Sequence, residues 1–143
     1  MSSTPDFASF KSSFNGDVVA SDEQDAALYE ASIKRWAYSA AKRASIVTFP
    51  RDAAAICQAL KYAQTHKLDL AVKGGGHSAA GYSSTDGGLV IDLGRYFGGV
   101  RVDEEKKVGY VGGGAIWKTV DEEAIKYGLA TVGGTVNHTG VAG

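Results

Sequence analysis

Val72-Lys73-Gly74-Gly75-Gly76-His77-Ser78 joins a strand-like run to three glycines and then to a histidine. Two familiar phosphate loops fail on it. A P-loop ends in Gly-Lys-Ser/Thr, so that the lysine reaches the terminal phosphates and the hydroxyl holds magnesium. Here the lysine comes before the glycines. The dinucleotide fingerprint needs G-x-G-x-x-G opening a helix, but position 79 is Ala and small, polar residues run on to Gly88. What remains is a bend from strand to loop. Its successive N–H groups, free of side chains, can form an anion-binding nest, or the glycines simply make a sharp turn. A histidine beside such a nest can hydrogen-bond a cofactor, serve as a base or become covalently attached. The bland alternative is a surface or satisfied core histidine.

Upstream, Ile46-Val47-Thr48-Phe49 is a β-branched and aromatic strand stopped by Pro50. Asp52 then caps a helix in which Ala53, Ile56, Cys57, Leu60 and Ala63 recur at helical spacing to about His66, and Leu68 to Lys73 reads as the next strand. Strand, helix and strand in about thirty residues make a βαβ unit with parallel pairing. Further upstream, residues 1–20 read as an irregular lead-in. Ser21-Asp22-Glu23 opens a helix carrying Ala27, Tyr29, Ile33 and Trp36, an arm that docks on the main body.

Downstream, Leu89-Val90-Ile91-Asp92-Leu93 is a strand. Residues 99–103 and 107–111 form a hairpin turned at Glu104-Glu105. Gly112-Gly113-Gly114 leads to a helix with Trp117, Val120, Ala124 and Tyr127 on one face, stopped at Gly128, and Leu129 to Val132 reads as a short strand. The chain ends inside another glycine-rich stretch, which reads as a truncation.

Composition narrows the function classes. The 143 residues suffice for one domain with a core, but are few for a cofactor domain and a substrate domain together. Nineteen glycines are about twice the usual ~7%, and nearly all lie from Gly74 onward. A net charge of -1 and no basic stripe argue against nucleic acid. The single cysteine, Cys57, excludes an internal disulfide or a multi-cysteine metal site. The three histidines are too far apart in sequence to suggest a metal site. No secretory h-region and no run of roughly 20 apolar residues is present, so a soluble intracellular protein is the expectation.

Several motifs in order resemble the FAD-binding domain of the p-cresol methylhydroxylase / vanillyl-alcohol oxidase superfamily, most of all its berberine-bridge-enzyme-like branch. They are residues 72–78 with Gly81, Gly88 to Leu93, Val111 to Trp117, and Gly128 to Gly143. The resemblance spans 44–143 and implies an α+β fold of the PCMH type, a βαβ subdomain followed by a second sheet-and-helix subdomain, incomplete here. Residues 1–43 are then a lead-in and helix. It further implies that Lys73, Gly74, Gly75, Gly76, His77 and Ser78 wrap the FAD pyrophosphate, and that Gly81 is among the cofactor-binding residues. His77 matches the histidine that the family joins to the flavin 8α carbon. Gly134, Thr135, His138, Thr139, Gly140 and Gly143 belong to a second FAD-contacting loop. Bicovalent members carry a cysteine where Val136 stands, so a single histidyl link is implied. Lys73 replaces a frequent arginine, keeping the charge without the bidentate geometry.

By the same resemblance the activity is oxidation of an alcohol, sugar or similar carbon centre by hydride transfer to FAD, with oxygen as acceptor. The family's small-molecule substrate pocket and catalytic base lie in later segments, so no catalytic residue is assigned here. A non-catalytic FAD-binding module and a remnant that binds no cofactor are the rival readings. Of the remaining candidates, Cys57 reads as a core residue, His66 as a solvated cation at a helix C-terminus, and Trp117 as packing. His138 reads equally as a flavin contact or a turn histidine, and Gly112 to Gly114 as a close strand-to-helix turn rather than an anion site.

Overall fold

The computed structural model describes residues 5–22 and 25–142. Its elements are α1 (Pro5–Ser13), β1 (Gly16–Ala20), α2 (Ala26–Ile33), β2 (Ile46–Pro50), α3 (Ala53–Thr65), β3 (Leu70–Lys73), β4 (Leu89–Asp92), β5 (Val100–Asp103), β6 (Val108–Val111) and α4 (Trp117–Ala124).

Four strands form one sheet in the order β1-β2-β4-β3. β4 runs parallel to both neighbours, while β1 is antiparallel to β2. The expected βαβ unit is there, with β4 inserted between its two strands. Both faces of this sheet are covered, which is why β2 and β4 read as continuous apolar runs. Leu89, Ile91, Ile46 and Val18 pack beneath α1 and α3. The alternate residues Val90, Val47, Phe49 and Val19 pack with Tyr29 and Ile33 of α2. β5 and β6 make a separate antiparallel hairpin on which α4 packs.

Several expectations need correction. Residues 5–20 are no irregular lead-in: Phe10 and Phe14 on and beside α1 enter the core, and β1 supplies an edge strand. The cap of α2 is Asp25, whose carboxylate accepts the Leu28 N–H at 3.0 Å. Ser21 lies in a turn before it, while Glu23 falls outside the described residues. The helix ends at Ile33, so Trp36 lies beyond it and is 65% exposed.

On α3 the buried stripe is Ala55, Ala59 and Ala63, and Cys57 and Leu60 face outward. Alanines at i, i+4 and i+8 let the helix backbone lie close to Leu89 and Ile91, so the smallest residues mark the inner face. His66 caps α3 at its C-terminus and is exposed, as expected; its Nε2 also meets Asp6 of α1 at 2.6 Å.

Residues 129–132 form no strand, and Val132 is fully exposed. The helix after the triple glycine starts at Trp117 with Ile116 as its cap, and Tyr127 lies on a closing 3-10 turn rather than on the buried stripe. Gly128 stops it in the left-handed region. Among the described residues no helix is long and apolar enough to cross a membrane, and no cluster of three metal-ligating side chains occurs.

Candidate functional site

The site is built where β3 ends. Its last residue, Lys73, accepts the Leu93 N–H at 2.8 Å, and the chain then leaves the sheet edge through Gly74, Gly75 and Gly76. Gly76 takes φ +72, a conformation that favours glycine. Gly75 meets the second glycine-rich loop face to face. A Cβ at Gly75 would overlap the Gly140 backbone, and one at Gly140 would overlap that of Gly75. Two segments sixty-five positions apart therefore touch main chain to main chain, a contact only glycine permits on both sides.

The second loop is held on the first turn of α4. Trp117 N–H donates to Thr139 O at 3.0 Å and Lys118 N–H to Asn137 O at 2.6 Å. Ile116 bridges Gly140, and Val141 N–H donates to Ala115 O at 3.0 Å. Gly133 and Gly134 lie against the Trp117 indole with no room for a side chain. The free N–H groups of this helix end are thus spent on protein carbonyls, leaving the N-terminus no capacity for an anion. Trp117 does pack, but as the floor of this loop.

The two loops enclose a cleft of about 620 Å³. Gly74, Gly75, Gly76, His77, Ser78, Gly134, Thr139 and Gly140 all line it, together with Tyr82, Ser83, Trp117 and Ala142. His138 joins through its ring: its Nδ1 lies 2.9 Å from His77 Nε2. Three expected residues stand elsewhere. Lys73 turns its ammonium to the buried carboxylate of Asp92 at 2.8 Å, in a neighbouring cleft of about 410 Å³ that also holds Arg95 and Gly114. Gly81, at φ +80, closes a turn on Ser78 O and packs by Lys42, behind the cleft. Thr135 is exposed and outside the lining. Gly143 lies outside the described residues.

The segment after α2 braces the histidine loop, which no local pattern announced. Arg35 is 7% exposed; its Nε and Nη2 donate to Ser83 O at 3.0 and 2.7 Å, and Nη1 reaches Ser32 O and Lys34 O. Trp36 N–H donates to Gly76 O at 3.2 Å, and its indole stacks on the His77 ring at 5.1 Å between centroids. Ser83 Oγ is buried without a hydrogen-bond partner among the described residues. Such an orphan beside a cleft is the mark of a polar group that a ligand completes.

Burial, and then the neighbouring His138, hold the His77 pKa below the ordinary histidine value of 6.5. The folded chain refuses a proton that the unfolded chain accepts. Stability present above pH 6.5 is therefore lost as the pH falls through the window beneath it. In an NMR titration, His77 should show a midpoint below 6.5. His138→Ala should raise that midpoint only part of the way, because burial is the larger cause; a midpoint at or above 6.5 in the parent chain contradicts the site.

Residues 44–143 match the family model described as FAD binding domain. FAD-linked oxidoreductase pgmH of Aspergillus terreus is 37% identical over 139 residues, covering 96% of this chain and 28% of the relative. The crystal structure of 6-hydroxy-D-nicotine oxidase from Arthrobacter nicotinovorans superposes with a TM-score of 0.84 at 30% identity, over 90% of this chain and 28% of that one. Glucooligosaccharide oxidase from Acremonium strictum, described as carrying a 6-S-cysteinyl, 8α-N1-histidyl FAD, gives 0.74 at 25% identity over 83% and 25%. This chain thus spans between a quarter and a third of the length of these relatives. With the matched family, the sheet topology and the paired glycine loops all in agreement, the chain belongs to the FAD-binding domain family of the p-cresol methylhydroxylase type.

Proposed function

We propose that this chain is the FAD-binding part of a flavin-dependent oxidoreductase that oxidises an alcohol, sugar or similar carbon centre, with the cofactor held covalently through His77. The observation that carries the reading is the convergence of both glycine loops on one cleft with His77 in its wall and an unpartnered Ser83 hydroxyl beside it. Gly74 to Ser78 and Gly134 to Gly140 are the backbone cradle: N–H groups without side chains suit a pyrophosphate, and the roomy, partly apolar cleft suits a cofactor. Ser83 Oγ supplies a further polar contact. Trp36 and Arg35 fix the loop from behind, so residues ahead of Ala44 act as a brace for the FAD-binding unit of 44–143. Bound FAD would supply the two-electron acceptor for a hydride from carbon, with dioxygen as the onward acceptor.

The half-buried, neutral imidazole of His77 fits the covalent role, since a protonated ring has no lone pair to give. One link, not two, suits this loop. Val136 has no thiol, and Cys57 faces outward on α3.

The test is the intact mass of the protein after denaturation, with its absorption spectrum. Added FAD is expected to leave a persistent mass increment and a yellow protein. His77→Ala is expected to bind FAD reversibly and to retain no increment. An increment that survives in His77→Ala sinks the covalent assignment; a chain that takes up no FAD sinks the reading as a whole.

A further inference from the structure

We propose that His138 is a positioning residue for His77: it accepts a hydrogen bond from His77 Nε2–H and so fixes the tautomer in which Nδ1 keeps its lone pair. This rests on the covalent reading for its consequence, but not for its geometry.

The 2.9 Å contact between His138 Nδ1 and His77 Nε2 requires one proton between two ring nitrogens. Either ring can carry it, and the surroundings decide which. His138 is exposed, so its outer Nε2 can donate to water. His77 is half-buried beneath the Trp36 indole, and among the described residues its Nδ1 has no hydrogen-bond partner. An N–H left without an acceptor in such a place is costlier than a bare acceptor nitrogen. The proton therefore belongs on His77 Nε2, with His138 as acceptor.

The turn that holds His138 is built for a fixed position. Thr139 Oγ1 donates to Val136 O at 2.7 Å, and Asn137 O and Thr139 O are pinned by the first turn of α4. The Gly75–Gly140 contact sets how far apart the two loops stand. His138 is thus carried to His77 by main chain, not by a flexible reach.

The tautomer has a chemical consequence. On the covalent reading, Nδ1 would be the nitrogen that bonds to the 8α carbon of FAD; one methyl C–H would break, and the ring proton would leave from Nε2 along the hydrogen bond to His138. The electron pair and the two protons would end on dioxygen, the oxidant, as hydrogen peroxide. Without His138 the ring is free to place its proton on Nδ1, where it blocks the reaction.

The experiment uses the whole chain labelled with ¹⁵N-histidine, free of cofactor, and then mixed with FAD. The ring nitrogen signals of His77 are expected to show a protonated Nε2 and an unprotonated Nδ1. In His138→Ala they should average between tautomers. Attachment of FAD, followed by mass after denaturation, should slow at least tenfold in that variant, while reversible FAD affinity changes less than threefold. His138→Gln, whose amide oxygen can take the same bond, should retain the tautomer and most of the rate; it also guards against a misfolded alanine variant.

A His77 that carries its proton on Nδ1 in the parent chain overturns the proposal. So does an unchanged attachment rate in His138→Ala, or a flavinylated peptide bonded through Nε2. If the tautomer is as stated but no FAD mass ever appears, the covalent reading fails and the positioning role stands.

Discussion

Gly75→Ala is expected to lower FAD affinity at least a hundredfold and to destabilise the chain by about 3 kcal/mol, the upper range for overpacking a tight contact. A Cβ there would occupy the space of the Gly140 backbone, and main chain cannot rotate out of the way as a side chain can. The strain has only two exits. Either the loops move apart, which separates His77 from His138 and opens the cleft, or the Gly74–Gly76 bend unwinds from the end of β3. Both remove the cradle. Gly140→Ala meets the same obstacle from the other side and should behave alike. The double variant should fall short of the sum, because one separation relieves both overlaps. Gly99 has open space where its Cβ would stand, so Gly99→Ala should stay within about 0.5 kcal/mol. Titration of FAD by flavin fluorescence with urea unfolding measures both quantities. Parent-like affinity in either loop variant contradicts the backbone-to-backbone site.

The residues that were legible from the chain are those whose role is local. The β-branched runs of β2 and β4, the turn at residues 104–107 and the stop at Gly128 each declare themselves within a few positions. Gly74 to Ser78 stood out because a triple glycine after a strand has few uses, and family resemblance then pointed to FAD as the expected one. What stayed hidden depends on distant partners. β1 holds an aspartate and a glycine in five residues, and only pairing with β2 makes it a strand. The α3 face was misjudged because hydrophobicity ranks Cys57 and Leu60 above alanine, while close approach to the sheet favours alanine. Nothing local marks Arg35, next to Lys34, for burial, which follows from a carbonyl forty-eight positions away. His138 could be named only as an alternative between flavin contact and turn residue. Its bond to His77 crosses sixty-one positions.

Lys73→Met is expected to destabilise the fold by about 3 kcal/mol, most of it from a charge left without its partner. Asp92 is 4% exposed, and both of its oxygens are engaged: Oδ2 takes the Lys73 ammonium at 2.8 Å and Oδ1 takes the Gly94 N–H at 2.8 Å. Removing the ammonium strands a carboxylate between β4 and the glycine loop. Asp92→Ala strands Lys73 instead, whose side chain is 19% exposed. Its ammonium can partly recover water, so the loss should be smaller by about 1 kcal/mol. The pair is distinguished from two independent contributions by combining Lys73→Met with Asp92→Asn. Asparagine keeps an oxygen for Gly94 and brings no charge, so the double variant should be more stable than Lys73→Met alone. Urea unfolding midpoints at fixed slope report this directly. The same series separates two roles for Lys73. If its charge serves Asp92 and not the cofactor, the double variant should bind FAD within about threefold of the parent. A loss of FAD affinity that the second substitution does not recover would instead place the Lys73 charge on the phosphates, against its orientation toward Asp92.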